Sequence, residues 1–114
     1  MTSPITIRRL SGVHVVRAGG AVLGESRDVL EVSEPGHEPV LYFPRGDIAM
    51  AFLDASDKVS HCPHKGDASY YSIVTKSTVL QNAAWSYETP HDDVARIAGH
   101  LAFYTRDDVA VEEL

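Results

Sequence analysis

The sequence predicts a mainly β fold, a single compact antiparallel domain with two short helices. Apolar residues recur mostly at every second position, turn residues separate the short apolar runs, and helical spacing is confined to two segments. With 114 residues, the chain is long enough for one domain, 1–114, that buries its own core.

The first part of the chain predicts short strands joined by turns. Val13–Arg17 and Ala21–Leu23 flank Gly19-Gly20, a pair that is typical of a hairpin turn. Further strands are expected at Ser26–Val32 and Val40–Phe43. Acidic residues recur at every third position here and are interpreted as a solvated strand edge: Glu25, Asp28, Glu31 and Glu34.

Two segments favour helices. After Pro44, Ile48 and Phe52 recur at helical spacing, which predicts a helix of about two or three turns. The second predicted helix spans Asp92–Ala98 and ends at Gly99, because glycine favours the position that terminates a helix. The remaining strands are expected near Val59–Cys62, Ser69–Thr75, Val79–Tyr87, Leu101–Tyr104 and Val109–Glu112.

Charge and composition argue against several classes of function. The formal net charge of −6 opposes nucleic acids and anionic membranes, so we expect neither as a partner. No apolar run approaches the roughly 20 residues that span a bilayer. The segment Met1–Thr6 has no basic stretch followed by an apolar one, so we expect no signal peptide. One cysteine forms no intrachain disulfide, and the expected location is the cytoplasm.

Chemically reactive side chains are concentrated in His61–Tyr71. Cys62 and His64 share one face of an extended strand, as in half of an iron–sulfur site, but a Rieske cluster needs two cysteines and the chain has one. Zinc bound by Cys62, His64 and a later histidine is one alternative, and a Cys62 thiolate favoured by Lys65 is another. A packed thiol is the interpretation that we favour, so we expect no metal and no cofactor.

Four blocks of sequence carry a resemblance to a known family: Tyr42–Asp47, Cys62–Tyr71, Asn82–Tyr87 and Ile97–Tyr104. The chain resembles the domain of unknown function 427 family, also labelled nucleotidyltransferase family 9 domain, over about residues 5–107. The resemblance implies a small β fold of the β-tent or barrel-like kind. Nucleotidyl transfer requires a metal held by carboxylates and a loop around phosphates, yet the sequence has neither an Asp-x-Asp pair nor a P-loop.

The same blocks supply the predicted ligand-binding residues. On a strand, Trp85 and Tyr87 share a face with the small Ala83, which leaves room for a ring. The alternative, which we favour for these two rings, is that they fill the core of the β domain. Arg45 and Lys65 are suited to a carboxylate or a phosphate, with a structural ion pair and simple solvation as their alternatives. The predicted ligand-binding residues are Arg45, Lys65, Tyr70, Trp85, Tyr87 and Tyr104.

Three functions follow from these observations. The sequence favours a module that binds a small polar or anionic molecule in a pocket lined by aromatic residues, Arg and Lys. The alternatives are a small enzyme that uses Cys62 or a tyrosine–lysine–histidine arrangement, and a structural or oligomerisation domain. Enzymatic activity, the ligand and the association of copies of the chain are left open.

Overall fold

The computed structural model describes residues 4–106 and 108–114 and confirms the mainly β prediction. Residues 1–3 and 107 lie outside the described residues, so the signal-peptide expectation is not tested there. The strands are β1 (Thr6–Arg9), β2 (His14–Ala18), β3 (Ala21–Ser26), β4 (Leu30–Ser33), β5 (Val40–Tyr42), β6 (Leu53–Cys62), β7 (Gly66–Val74), β8 (Val79–Ser86), β9 (Ala102–Phe103) and β10 (Val109–Glu113).

The strands form three antiparallel sheets, ordered β1-β4-β5, β10-β2-β3 and β6-β7-β8-β9. The predicted hairpin joins β2 to β3. Gly19 and Gly20 have φ angles of +53° and +87°, the left-handed region that a tight two-residue turn requires. Among the described residues no sheet closes into a barrel.

Helical structure occurs at the first predicted place, but as two 3-10 turns rather than one continuous helix. The turns span Arg45–Asp47 and Met50–Phe52. Ile48 between them is extended, with φ −107° and ψ 136°. Ile48 does not continue the helix because it forms an antiparallel bridge with Gly24 of β3. A tertiary contact therefore overrides the helical spacing.

The second predicted helix is likewise a 3-10 segment, Asp92–Ile97, which is interrupted at Val94 by a φ of −124° and a ψ of 26°. The segment lacks a side-chain cap at its start. Gly99 follows it with a φ of +72°, as expected of the terminating glycine. No helical segment within residues 4–106 and 108–114 has the length and apolar character needed to cross a membrane.

Strand β6 is longer than predicted, because it begins at Leu53 instead of near Val59. Its pairing with β7 shifts register between Ala55 and Val59. A shift of this kind interrupts the two-residue alternation from which strands are predicted. Strand β1, which the sequence did not predict, pairs with β4 from Thr6 opposite Ser33 to Arg9 opposite Leu30.

Two hydrophobic clusters form the core. Phe43, Ile73 and Leu101 belong to the first, and Tyr42, Tyr70 and Ile97 to the second. Tyr42 and Phe43 are consecutive, and successive residues of an extended chain project to opposite sides. This short segment therefore contributes one ring to each cluster.

Gly24 allows β3 to lie close to the end of the first 3-10 turn, Arg45–Asp47, and to Ile48 after it. A Cβ atom at this position would lie 2.5 Å from the Asp47 carbonyl oxygen and 2.6 Å from Ile48 Cδ1. We expect Gly24→Ala to lower the free energy of unfolding by about 1–3 kcal/mol, since the backbone must move to relieve the overlap. Urea unfolding measures this difference.

Gly46→Ala is the matched control for this substitution. Nothing lies within 4 Å of a Cβ atom built on Gly46, and its φ is not in the left-handed region. We expect it to change the unfolding free energy by less than about 1 kcal/mol. Equal losses for the two variants would contradict the close approach at Gly24.

Candidate functional site

The sheet β6-β7-β8-β9 directs different aromatic residues to its two faces. Tyr70 of β7 lies opposite Trp85 of β8, and Tyr71 lies opposite Ala84. Paired residues share a face and neighbours in sequence alternate. Tyr70 and Trp85 therefore project to one side, and Tyr71 projects to the other.

Five rings on or beside the Trp85 face form what we call the aromatic cluster: Tyr42, Tyr70, Trp85, Tyr87 and Tyr104. The Trp85 indole Nε1 donates a hydrogen bond to the Tyr42 hydroxyl at 3.2 Å, and these two rings meet edge to face with centroids 6.4 Å apart. The Tyr87 centroid lies 6.5 Å from that of Tyr42, and the Tyr104 centroid lies 4.5 Å from that of Trp85. Tyr42 is thus the residue that joins Trp85 to Tyr87.

Three hydroxyl groups of the cluster, those of Tyr42, Tyr87 and Tyr104, have raised pKa values. Burial raises the pKa of Tyr42 to about 12. Burial together with the hydroxyl of Tyr70 raises the pKa of Tyr104 to about 12. Burial, followed by the neighbouring Tyr42, raises the pKa of Tyr87 well above its ordinary value. At neutral pH these groups therefore act as hydrogen-bonding hydroxyls and not as anions.

Lys65 extends its side chain into the same region and is buried. Its ammonium donates to the Glu34 carboxylate, and its Nζ lies 3.7 Å from Cys62 Sγ and 5.8 Å from the centre of the Tyr87 ring. A buried ammonium requires an opposite charge, and Glu34 provides it. Lys65 is therefore part of an internal ion pair and not the solvated residue of the sequence alternative.

Arg45 lies on the other face of the sheet. Its Nε donates to the Gly99 carbonyl at 3.0 Å, and its Nη2 donates to the Glu88 carboxylate at 2.8 Å. The Tyr71 hydroxyl donates to the same carboxylate at 2.7 Å. The arrangement agrees with the structural ion pair that was the alternative role of Arg45, and it ties the first 3-10 turn to the segment before β9.

The structure thus divides the predicted ligand-binding residues into two groups. Contacts through Tyr42 connect Lys65, Tyr70, Trp85, Tyr87 and Tyr104. Arg45 is separate from them and contacts Tyr71. Their role in binding a ligand stays a prediction.

Two grooves meet at the outer edge of the aromatic cluster. The first, which we call the ring groove, has a volume of about 440 Å³. Its walls are mainly apolar, with Val40, Leu41, Trp85, Phe103, Tyr104 and Val111 among them, and Glu38 and Thr105 are its polar residues. The second, the polar groove, has a volume of about 560 Å³ and is lined by Lys58, Gln81, Asn82, Tyr104, Thr105 and Arg106. Tyr104 and Thr105 belong to both.

The sequence interpretation missed several residues of this region. Tyr42 is the first residue of a block that carries the family resemblance, and that membership was the available signal. Of the acidic series that was interpreted as a solvated edge, Glu25 and Asp28 are exposed. Three members also pair with basic residues: Glu31 with Arg8, Asp28 with Arg9 and the largely buried Glu34 with Lys65. Nothing in the sequence pattern marks Lys58 or Arg106, because their proximity arises only from the folded sheet.

The residues considered as metal ligands are not gathered. Among the residues that the structure describes, no three His, Cys, Asp or Glu side chains are grouped as a metal ion requires. His61, which precedes the candidate ligands, has its Nδ1 at 2.7 Å from Asp67 Oδ1. Cys62 is a half-buried free cysteine that packs against the second hydrophobic cluster.

A comparison with protein-family models identifies the family of this chain. The family model described as Domain of unknown function (DUF427), with the label NTP_transf_9, matches residues 6–113. The chain belongs to this family. The comparison with curated proteins finds no match. The family assignment confirms the resemblance, and its description leaves the function open.

The Lys65–Glu34 pair yields a prediction about stability. Its side chains are only 9% and 19% exposed, so Glu34→Gln leaves a buried ammonium without a counter-charge. We expect a loss of about 3 kcal/mol in the free energy of unfolding. Glu112→Gln is the control, because the Arg17–Glu112 pair is about half exposed and contributes less than about 1 kcal/mol. Similar losses in urea unfolding would contradict a buried pair.

The raised pKa of Tyr42 predicts a loss of stability in alkali. An unfolded chain releases this proton near its ordinary pKa of 10.0, whereas the folded chain keeps it up to about 12. Between these values Tyr42 alone lowers the free energy of unfolding by about 1.4 kcal/mol per pH unit. Tyr42→Phe removes this contribution, so urea unfolding across the interval should give a shallower slope than the wild type. Equal slopes would contradict the burial of the hydroxyl.

Proposed function

We propose that the protein binds a small polar molecule that carries a planar ring, with the ring held in the ring groove. The observation that carries the proposal is the pairing of Trp85 and Tyr104, whose rings line this groove at a centroid separation of 4.5 Å. Its volume of about 440 Å³ lies in the range typical of small-molecule sites. Apolar walls with a few polar groups are also typical of such sites.

The groove is suited to binding because its principal ring is already fixed. The indole N–H of Trp85 is bonded to the hydroxyl of Tyr42, which is itself buried in the second hydrophobic cluster. A ring held in this way loses little conformational freedom when a ligand arrives. The Thr105 hydroxyl and the Glu38 carboxylate can then orient the polar part of the ligand.

The charge of the ligand is a separate matter from the recognition of its ring. Lys65 and Arg45, the basic residues predicted from the sequence, are bonded to the carboxylates of Glu34 and Glu88. An anion would have to compete with these partners in order to bind either residue. The proposal therefore rests on the rings of Trp85 and Tyr104 and not on Arg45 or Lys65.

The fluorescence of Trp85, the single tryptophan of the chain, tests the proposal. We expect neutral ring compounds such as nicotinamide and uridine to alter this fluorescence at saturable concentrations and to raise the melting temperature. Tyr104→Ala should weaken binding roughly three- to tenfold, because it removes one ring from the groove. Val79→Ala, at an exposed residue outside both grooves, is the control and should bind like the wild type.

Three outcomes separate the proposal from the alternatives. Binding that is insensitive to Tyr104→Ala would place the ligand elsewhere and contradict the ring groove. The absence of any saturable response would instead favour a structural domain. Rapid alkylation of Cys62 at neutral pH, with no response to ring compounds, would favour the enzyme that uses this thiol.

A further inference from the structure

The polar groove continues the ring groove and differs from it in charge. The two share Tyr104 and Thr105 and are therefore adjacent. On the assumption that the proposed function holds, we propose that the ligand is a planar ring bearing a carboxylate or a phosphate. Its anionic group is bound in the polar groove by Lys58 and Arg106.

The two basic side chains lie above rings of the aromatic cluster. Lys58 Nζ is 4.5 Å from the centre of the Tyr70 ring, and Arg106 Cζ is 5.9 Å from the centre of the Tyr104 ring. A cation is attracted to the face of an aromatic ring. These contacts hold the charge of Arg106 beside Tyr104, the ring that the two grooves share, and the charge of Lys58 beside the neighbouring Tyr70.

Neither cation has an acidic partner within residues 4–106 and 108–114. This distinguishes them from Arg45 and Lys65, which form ion pairs with Glu88 and Glu34. An anion therefore binds Lys58 and Arg106 without displacing any carboxylate of the described residues. In a chain of formal net charge −6, two cations that form no ion pair with any described residue provide a local site of opposite sign.

Asn82 supplies further hydrogen-bond donors to the polar groove. Its side-chain Oδ1 accepts a hydrogen bond from Ser56 Oγ at 2.5 Å, which leaves the amide NH₂ as the group available to a ligand. The φ of Asn82 is +51°, the one positive value at a non-glycine residue in the described part of the chain. Its backbone N–H is bonded to Ser72 Oγ at 3.2 Å, so this unusual conformation is held in place.

The distribution of charge also sets the orientation of the ligand. Glu38 lies at the ring groove, where its carboxylate repels an anion, whereas Lys58 and Arg106 lie at the polar groove. The ring is therefore expected against Trp85 and the anionic group on the far side of Tyr104. Burial and the Tyr70 hydroxyl raise the pKa of Tyr104 to about 12, so Tyr104 stays uncharged well above neutral pH and adds no negative charge beside the anion.

Matched pairs of compounds test the anion site. Nicotinate and nicotinamide share a ring and differ by one carboxylate charge, and uridine monophosphate and uridine differ by a phosphate. We expect an anionic member of a pair to bind at least about fivefold more tightly than its neutral partner at low salt, by titration of Trp85 fluorescence. The pair with the larger ratio identifies a carboxylate or a phosphate as the preferred group. Added salt should reduce this ratio, since exposed charges are screened.

Two variants and a control test whether Lys58 and Arg106 cause the tighter binding of the anionic compound. Lys58→Gln and Arg106→Gln should each weaken binding of the anionic compound roughly two- to fivefold and leave its neutral partner unchanged. Lys76→Gln removes the same charge from an exposed lysine outside both grooves and should change neither. All three side chains are exposed, so the variants are expected to fold.

The outcomes distinguish this inference from the proposed function. Equal affinity for anionic and neutral members of both pairs would overturn the anion site and leave ring binding intact. A preference for the anion that survives both Lys58→Gln and Arg106→Gln would also overturn it. If neither member of either pair changes the fluorescence or the melting temperature, the ring groove and the anion site are both rejected.

Discussion

The consecutive residues Tyr42 and Phe43 connect the sheet β1-β4-β5 to the sheet β6-β7-β8-β9, and much of the structure depends on this junction. Phe43 and Leu101 exchange backbone hydrogen bonds of 2.8 Å in both directions. The Phe43 ring packs edge to face on Phe103 in the first hydrophobic cluster. Tyr42 projects to the opposite side, where it accepts the Trp85 hydrogen bond. One extended dipeptide therefore fixes the backbone pairing and the position of the aromatic cluster together.

The basic residues near the aromatic sheet have two different roles. Arg45 and Lys65 are bonded to carboxylates that lie far away in the sequence, and these pairs tie loops to the sheet. Lys58 and Arg106, by contrast, have no acidic partner within residues 4–106 and 108–114 and border a groove. A paired cation contributes mainly to the architecture, whereas an unpaired cation beside a ring is available to a ligand. This difference is why the proposed anion site lies away from the predicted cations.

A structural element was predicted correctly where interactions between neighbouring residues determine it, and incorrectly where pairing with a distant residue does. The Gly19-Gly20 hairpin was predicted correctly, because the two glycines alone set the turn. The helix after Pro44 was interrupted because Ile48 pairs with Gly24, a residue outside the window that periodicity examines. The start of β6 was missed because a register shift between Ala55 and Val59 disrupts the alternation. Lys65, Tyr87, Trp85 and Tyr104 lie close together in the fold and Arg45 lies apart, while ligand binding by any of them stays a prediction.

The sequence by itself determined the mainly β class, the hairpin and the membership of the family, since alternation, turn residues and motif blocks are properties of neighbouring residues. Only the tertiary structure decided which side chains meet. Glu34 and Lys65 are 31 residues apart, and Tyr42 and Trp85 are 43 residues apart. Ion pairing and ring contact depend on distance in space, and strand pairing sets that distance. The sequence thus set which side chains are charged or aromatic. The packing of the sheets decided which of the basic side chains form an ion pair and which border a groove.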